Sequence, residues 1–373
     1  MIEQKNETYR EFIENSSLGC IERFKSGALM TALNLLCVTL LNEDSVKAKN
    51  CLDWNSVFEA NFGSYPNQVG NIRELHTQRD ESPKAFFEQL ALTNLHYENF
   101  SKEERRQALV SSIIDSTSRY LYVYSVSHSL NELLALWVKD TDTIGFFDQN
   151  LLSDFPFMFA KSDAPYGGKR VLTNTNSNAL AELFYLLAQK KILLTETTGA
   201  SIEQFFMKSP SSLVCVAAKD DCATDEPNSV ARIIAQSLLW VKGKLAFVVP
   251  EWFRHAYQLG DLRRKMVMSR RLSAVIDLPA GMTYKATASS DPVCVFLFDE
   301  ENAFNKEVRF ISMLDEKLWD APFSKDRKRE LSQEGIALRK LILTGKSAPA
   351  YIRPISMRTI SSNQCSLWER DYR

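Results

Sequence analysis

The sequence predicts a doubly wound α/β domain with a mostly parallel sheet, preceded by an α-helical domain. From Thr143 onward, short runs rich in Val, Ile, Leu and Phe alternate with longer amphipathic stretches, the pattern of strands joined by crossover helices. Before about Tyr120, apolar residues instead recur at three- and four-residue spacing, with helix-start signals between them. The length of 373 residues, 45% hydrophobic and 24% charged, suffices for a large core and a second domain beside it.

In the N-terminal part, Ile21, Phe24, Leu29, Leu33, Cys37 and Leu40 fall on one helix face. Ser82-Pro83 opens a further helix carrying Phe86, Phe87, Leu90 and Leu92, because proline fits the first turn. Ser101-Lys-Glu-Glu104 is a capping-box pattern that starts a helix through Leu109 to Ile114. Asn61-Phe-Gly-Ser-Tyr-Pro-Asn-Gln is read as a loop. The α/β part has strand candidates at Thr143 to Phe147, Lys169 to Thr173, Ile192 to Thr195, Leu213 to Val216, Lys244 to Val249, Leu272 to Asp277 and Val293 to Phe298. Helices fit at Ser129 to Val138, Ser177 to Gln189, Ser229 to Val241 and Phe253 to Ser269. No helix fits between the last two strands, which predicts antiparallel pairing there. The domain limits follow as a helical domain over 1–124, the α/β domain over 125–322, and a helical, partner-binding tail over 323–373.

Composition narrows the function classes. The longest apolar run, Gly27 to Leu41, is too short for a bilayer span and is broken by Thr31, Asn34 and Thr39. The first residues carry both charge signs and lack the pattern of a signal peptide, so a cytoplasmic location is expected. Seven scattered cysteines without a Cys-x-x-Cys indicate reduced structural thiols and no metal. His76, His96, His128 and His255 are dispersed, and there is no Gly-x-Ser-x-Gly or phosphate-binding glycine loop. The net charge of −1 hides an asymmetry: from Trp240 onward there are 23 Lys and Arg against 16 Asp and Glu. An anionic partner, double-stranded DNA among the candidates, would therefore meet this third, chiefly at Arg263, Arg264, Lys265, Arg270, Arg271, Lys325, Arg327, Lys328 and Arg329. Such contacts would be to phosphate, since nothing here resembles a base-reading helix.

Five segments then carry a family resemblance. Ala231-Arg-Ile-Ile-Ala-Gln-Ser-Leu-Leu-Trp-Val-Lys-Gly-Lys-Leu-Ala-Phe-Val-Val-Pro250 is followed by Leu262-Arg-Arg-Lys, Leu272-Ser-Ala-Val-Ile-Asp-Leu-Pro-Ala-Gly-Met282 and Ser290-Asp-Pro-Val-Cys-Val-Phe-Leu-Phe298. Near the end stands Ile360-Ser-Ser-Asn-Gln-Cys-Ser-Leu-Trp-Glu-Arg-Asp-Tyr372. In this order they resemble the N6-adenine DNA methyltransferase subunits of type I restriction-modification systems, over about two-thirds of the chain. The Leu-Pro-Ala-Gly segment is the most specific part. The resemblance implies a methyltransferase-like, Rossmann-type sheet.

It also implies where the chemistry should be, and there this sequence departs. S-adenosylmethionine would lie across the carboxyl ends of the first strands, where the family writes Asp-Pro-x-x-Gly-x-Gly-Gly so that backbone can approach the cofactor. Here the segment reads Phe147-Asp-Gln-Asn-Leu-Leu-Ser-Asp-Phe155: Asp148 remains, while Leu152 and Asp154 bring side chains in place of glycine. The second strand should end in an acid that holds the ribose, but Val171-Leu-Thr-Asn-Thr-Asn176 is neutral. The family's Asn-Pro-Pro-Phe/Tyr, which holds and stacks the flipped adenine, is replaced by Ala217, Ala218, Lys219, Asp220 and Asp221. His128 stands at the start of the helix before the first strand, where the family often places Thr-Pro.

The expected function is thus that of a pseudoenzyme: no cofactor and no catalytic residues, with surfaces for DNA or for a protein partner such as a specificity-type subunit or an active methylase, in a restriction-modification or related defence or mobile-element setting. An active but divergent methyltransferase using S-adenosylmethionine is one alternative. A regulatory protein that mimics a methylase subunit without touching DNA is another.

Overall fold

The computed structural model describes residues 2–23, 36, 86, 89, 90, 93, 100, 101, 104, 105, 108, 109, 125–138, 143–148, 170–173, 193–196, 202–207, 209–216, 230–284, 292–300, 306–322 and 329–372. The chain divides into two compact units, one of residues 1–123 with 177–189, the other of 124–176 with 190–373.

In the first unit, α1 (Ile2–Arg23) buries Tyr9, Ile13, Ser16, Ser17 and Cys20 at helical spacing. Tyr9 stacks on Phe100 at 4.8 Å between ring centroids. The capping box forms as expected. The Ser101 hydroxyl and amide donate to the Glu104 carboxylate at 2.6 and 2.8 Å and hold it below its ordinary pKa, while the Glu104 amide donates to Ser101 Oγ at 3.3 Å. Phe86, Gln89, Leu90 and Thr93 are helical, in the stretch that Ser82-Pro83 announces. Most of the helix expected around Leu29 to Leu40 lies outside the described residues, as does that at Ser177 to Gln189.

Among the described residues the second unit is built on a nine-stranded sheet. In chain order its elements begin with β1 (Ser125–Val126), α2 (His128–Trp137), β2 (Thr143–Asp148), β3 (Arg170–Thr173), β4 (Leu193–Glu196), α3 (Ile202–Met207) and β5 (Ser212–Val216). Then follow α4 (Val230–Trp240), β6 (Leu245–Pro250), α5 (Gly260–Met268), β7 (Leu272–Leu278), β8 (Thr283–Tyr284) and β9 (Val293–Phe298). The chain ends with β10 (Glu307–Ser312), α6 (Gln333–Leu343), β11 (Ile352–Ser356) and α7 (Met357–Ser362). Each of the seven expected strands is present, with ends within one residue of those read from sequence. The spatial order is β11-β10-β7-β9-β6-β5-β2-β3-β4, and β1 pairs with β8 in a separate short ribbon. Antiparallel β9 inserts between β6 and β7, while β10-β7 and the run from β6 through β5, β2 and β3 to β4 are parallel.

Helices cover both faces, as fully buried β5, β6 and β9 require. Alternate residues such as Phe247, Phe296 and Phe310 pack with Ile233, Ile234, Leu262, Met266 and Ile360 from α4, α5 and α7. Leu278, of the opposite parity to the core residue Val275, faces Leu130 and Leu133 of α2, which packs against α6. Ser127 caps α2 by accepting from the Leu130 amide at 3.2 Å. Gly243, in the turn before β6, sits where a Cβ would meet the Ser211 carbonyl oxygen at 2.3 Å, so the turn admits only glycine.

Two expectations are corrected. The helix expected over Phe253 to Ser269 is broken into 3₁₀ turns at Glu251–Arg254 and Tyr257–Leu259 before α5. Ala256 between them is extended, and its carbonyl accepts from the Leu259 amide and the Arg263 guanidinium. The segment 323–373, expected to be a helical tail, also contains β11, which pairs antiparallel with β10 at the edge of the main sheet. Pro354 obscures this strand in the sequence, yet an edge strand tolerates it, because one side of its backbone needs no ladder partner.

Candidate functional site

Ligands of open α/β sheets bind outside the carboxyl ends of the strands, where the strand order reverses. In this protein the chain runs outward from β2 through β3 to β4, then returns to the other side of β2 as β5, so the reversal lies between β2 and β5. Asp148 and Val216 are register partners at that point, and Thr173 and Glu196 are partners at the ends of β3 and β4. Asp148 therefore stands where the sequence placed it. Leu152, Asp154 and Ala217, Ala218, Lys219, Asp220 and Asp221 lie outside the described residues. Glu196, an acid at the same sheet edge, escapes notice in the sequence because the apolar run that marks its strand stops at Thr195. The position at the end of β3, where a ribose-binding acid would stand, is Thr173. The segment after Asp148 holds no glycine in the sequence and lies outside the described residues, and the described end of β3 carries no acid.

The structure separates the basic candidates into two kinds. Arg264, Lys265 and Arg270 are exposed on α5 and at its end, and Arg270 closes the helix with φ 58°. Arg263 is partly buried and holds the Ala256 carbonyl; burial lowers its pKa. Arg271 is engaged internally: it donates to the carbonyls of Val241 at 2.7 Å, Lys242 at 2.9 Å and Gly243 at 2.5 Å, tying the start of β7 to the α4–β6 turn. Arg329 is 3% exposed, pairs with Glu316 and lies over the Trp319 ring at 5.3 Å. The reading of Arg271 and Arg329 as phosphate ligands is thus corrected, because sequence clustering does not show which guanidiniums satisfy the protein's own acceptors. Lys325, Arg327 and Lys328 lie outside the described residues.

A second constellation was not visible in the sequence. Arg254, from the turn that follows β6, is buried beside Asp277 near the end of β7, with Nη1 bonded to Asp277 and Nη2 to Glu251 Oε1 at 2.6 Å. Burial disfavours its charge, but the Asp277 charge and hydrogen bond outweigh this and raise the Arg254 pKa. For Asp277, burial wins over the pull of Arg254 and pushes the carboxyl up. Trp368, from the closing segment, covers the guanidinium at 5.9 Å and stacks on His255 at 5.3 Å. Cys20, Cys215, Cys294 and Cys365 are buried. Among the described residues no group of side chains could hold a metal, and no helix is long and apolar enough to cross a membrane.

No protein-family model and no curated protein matches this sequence. Solved structures do. The methyltransferase subunit of a type I restriction-modification system from Streptococcus thermophilus superposes with a TM-score of 0.61 at 11% identity, covering 97% of this chain and 98% of that one. A modification subunit of a putative type I restriction enzyme from Vibrio vulnificus YJ016 gives 0.61 at 10% identity, covering 95% and 93%. The Type ISP restriction-modification enzyme LlaGI, solved with a DNA substrate mimic, gives 0.51 at 9% identity, covering 95% of this chain and 43% of that one. With its 3-2-1-4-5-7-6 arrangement of the first seven sheet strands and these superpositions, the chain has the fold of type I restriction-modification methyltransferase subunits.

Proposed function

We propose that this protein is a catalytically inactive N6-adenine methyltransferase-like subunit, acting in the cytoplasm as a DNA- or partner-binding component of a restriction-modification or related system. The observation that carries the proposal is the mismatch at the sheet edge: a complete methyltransferase strand order ends in Thr173 where the ribose acid belongs, beside a loop without glycine after Asp148. Support for a DNA surface comes from exposed Arg264, Lys265 and Arg270, and from the likeness to LlaGI, solved with a DNA mimic. A protein partner is supported by exposed Met207, Leu239, Trp240 and Met268 on the neighbouring helices α3, α4 and α5.

Calorimetric titration of the full chain with S-adenosylmethionine tests the proposal, with no saturable heat expected. A micromolar dissociation constant, about −8 kcal/mol, would overturn it. That result would favour the active alternative, for which Asp148 and Glu196 at the strand ends are the supporting observation.

A further inference from the structure

The two 3₁₀ turns after β6 and the closing segment of the chain build a surface that neither the core nor the sheet edge uses. The extended Ala256 lets the second turn bury Leu259 while leaving Tyr257 95% exposed. The Arg263 guanidinium on the Ala256 carbonyl fixes this turn against α5. Exposed His255 stacks beside half-buried Trp368, with 5.3 Å between ring centroids and 27° between planes. Exposed Arg370 lies over Trp368 at 5.4 Å. Arg264 and Lys265 are exposed on α5, which packs against both the Tyr257 turn and α7. The nearby acids are largely matched: Glu251 by Arg254, Glu369 by Arg353 at 3.7 Å, and Asp371 by Ser366, leaving Asp261 exposed at the start of α5.

We infer that this aromatic and basic surface binds an unpaired nucleic-acid strand, with bases stacked on Tyr257 and His255 and phosphates met by Arg264, Lys265 and Arg370. Exposed rings interleaved with cations are what an unpaired strand requires, because each free base offers a π face of any sequence while its backbone carries the charge. A duplex hides those faces and would meet the cations alone. Strand binding at this surface goes beyond the cofactor-free reading and does not depend on it.

The test is fluorescence anisotropy on the full-length protein with a labelled 20-nucleotide DNA of mixed sequence, single-stranded and as its duplex, over a range of salt. The single strand should bind at least tenfold more tightly than the duplex. Tyr257→Ala, at a side chain the fold does not use, should weaken single-strand binding about tenfold with the salt slope unchanged, and leave duplex binding as it was. Arg370→Ala should instead reduce the salt slope for the single strand by about 0.7. Absent binding, equal affinity for both DNAs, or indifference to Tyr257→Ala would each overturn the inference. So would loss of a co-purifying protein on Tyr257→Ala with oligonucleotide binding intact, which would make this a protein interface. The S-adenosylmethionine titration reads the cofactor edge separately, so the two proposals fail by different measurements.

Discussion

Arg254→Met removes the cation that neutralises Asp277 inside the second unit while keeping an apolar side chain of similar length. Taking one partner from a buried ion pair costs about 3–5 kcal/mol, mainly because the other charge is left without compensation. Arg254 is 4% exposed and Asp277 16%, so water offers the abandoned carboxylate limited relief, and Glu251 at 43% is already solvated. The expected loss is therefore near the lower end, about 3 kcal/mol, read as a lower midpoint in urea at unchanged slope. The sign with pH follows from Asp277. Its folded pKa stands above the unfolded value because of burial, and losing Arg254 raises it further. A carboxyl with a raised folded pKa penalises the fold fully above that pKa, and the penalty is relieved as pH falls through it. The variant should thus lose less stability at pH 5 than at pH 8. Arg254→Met/Asp277→Asn should recover most of the loss, since it leaves no buried charge. A single variant costing less than about 1 kcal/mol, or a double variant as unstable as the single one, against the 3–5 kcal/mol for a broken buried pair, would refute the reasoning.

Two further outcomes follow from the same structure. Arg271→Ala should destabilise the second unit by about 1–3 kcal/mol, because the carbonyls of Val241, Lys242 and Gly243 lose a charged donor, while nucleic-acid affinity stays unchanged; the reverse pattern in urea unfolding and anisotropy would return Arg271 to the surface set. Ser101→Ala should raise the Glu104 pKa toward the ordinary carboxylate range, because it removes the side-chain hydrogen bond that lowers it most. An NMR titration that finds Glu104 unmoved would show that the capping box is not made in solution.

Much of the fold was legible because its signals are local. Buried parallel strands such as Leu245–Pro250 must be continuously apolar, and Ser101 with Glu104 satisfies the same helix-end donors in any context. The loss of glycines after Asp148 was equally plain, since a backbone approach to a ligand depends on which residue type stands there. The strand Ile352–Ser356 was not legible: its Pro354 argues against a strand until the sheet supplies an edge position. Nor was the difference between Arg270 and Arg271. The two are adjacent and chemically identical, but one ends α5 in water while the other reaches the carbonyls of the α4–β6 turn, about 30 residues away in sequence. Likewise Arg254 and Asp277 are 23 residues apart, and only the pairing of β6 and β7 with β9 between them brings the charges together out of water. The sequence by itself determined seven of the strands, their succession and the residue types that follow Asp148, because these depend on local pattern. The tertiary structure alone decided which charges are buried, which are free to meet a partner, and which rings remain exposed, because those depend on distances between segments remote in the chain.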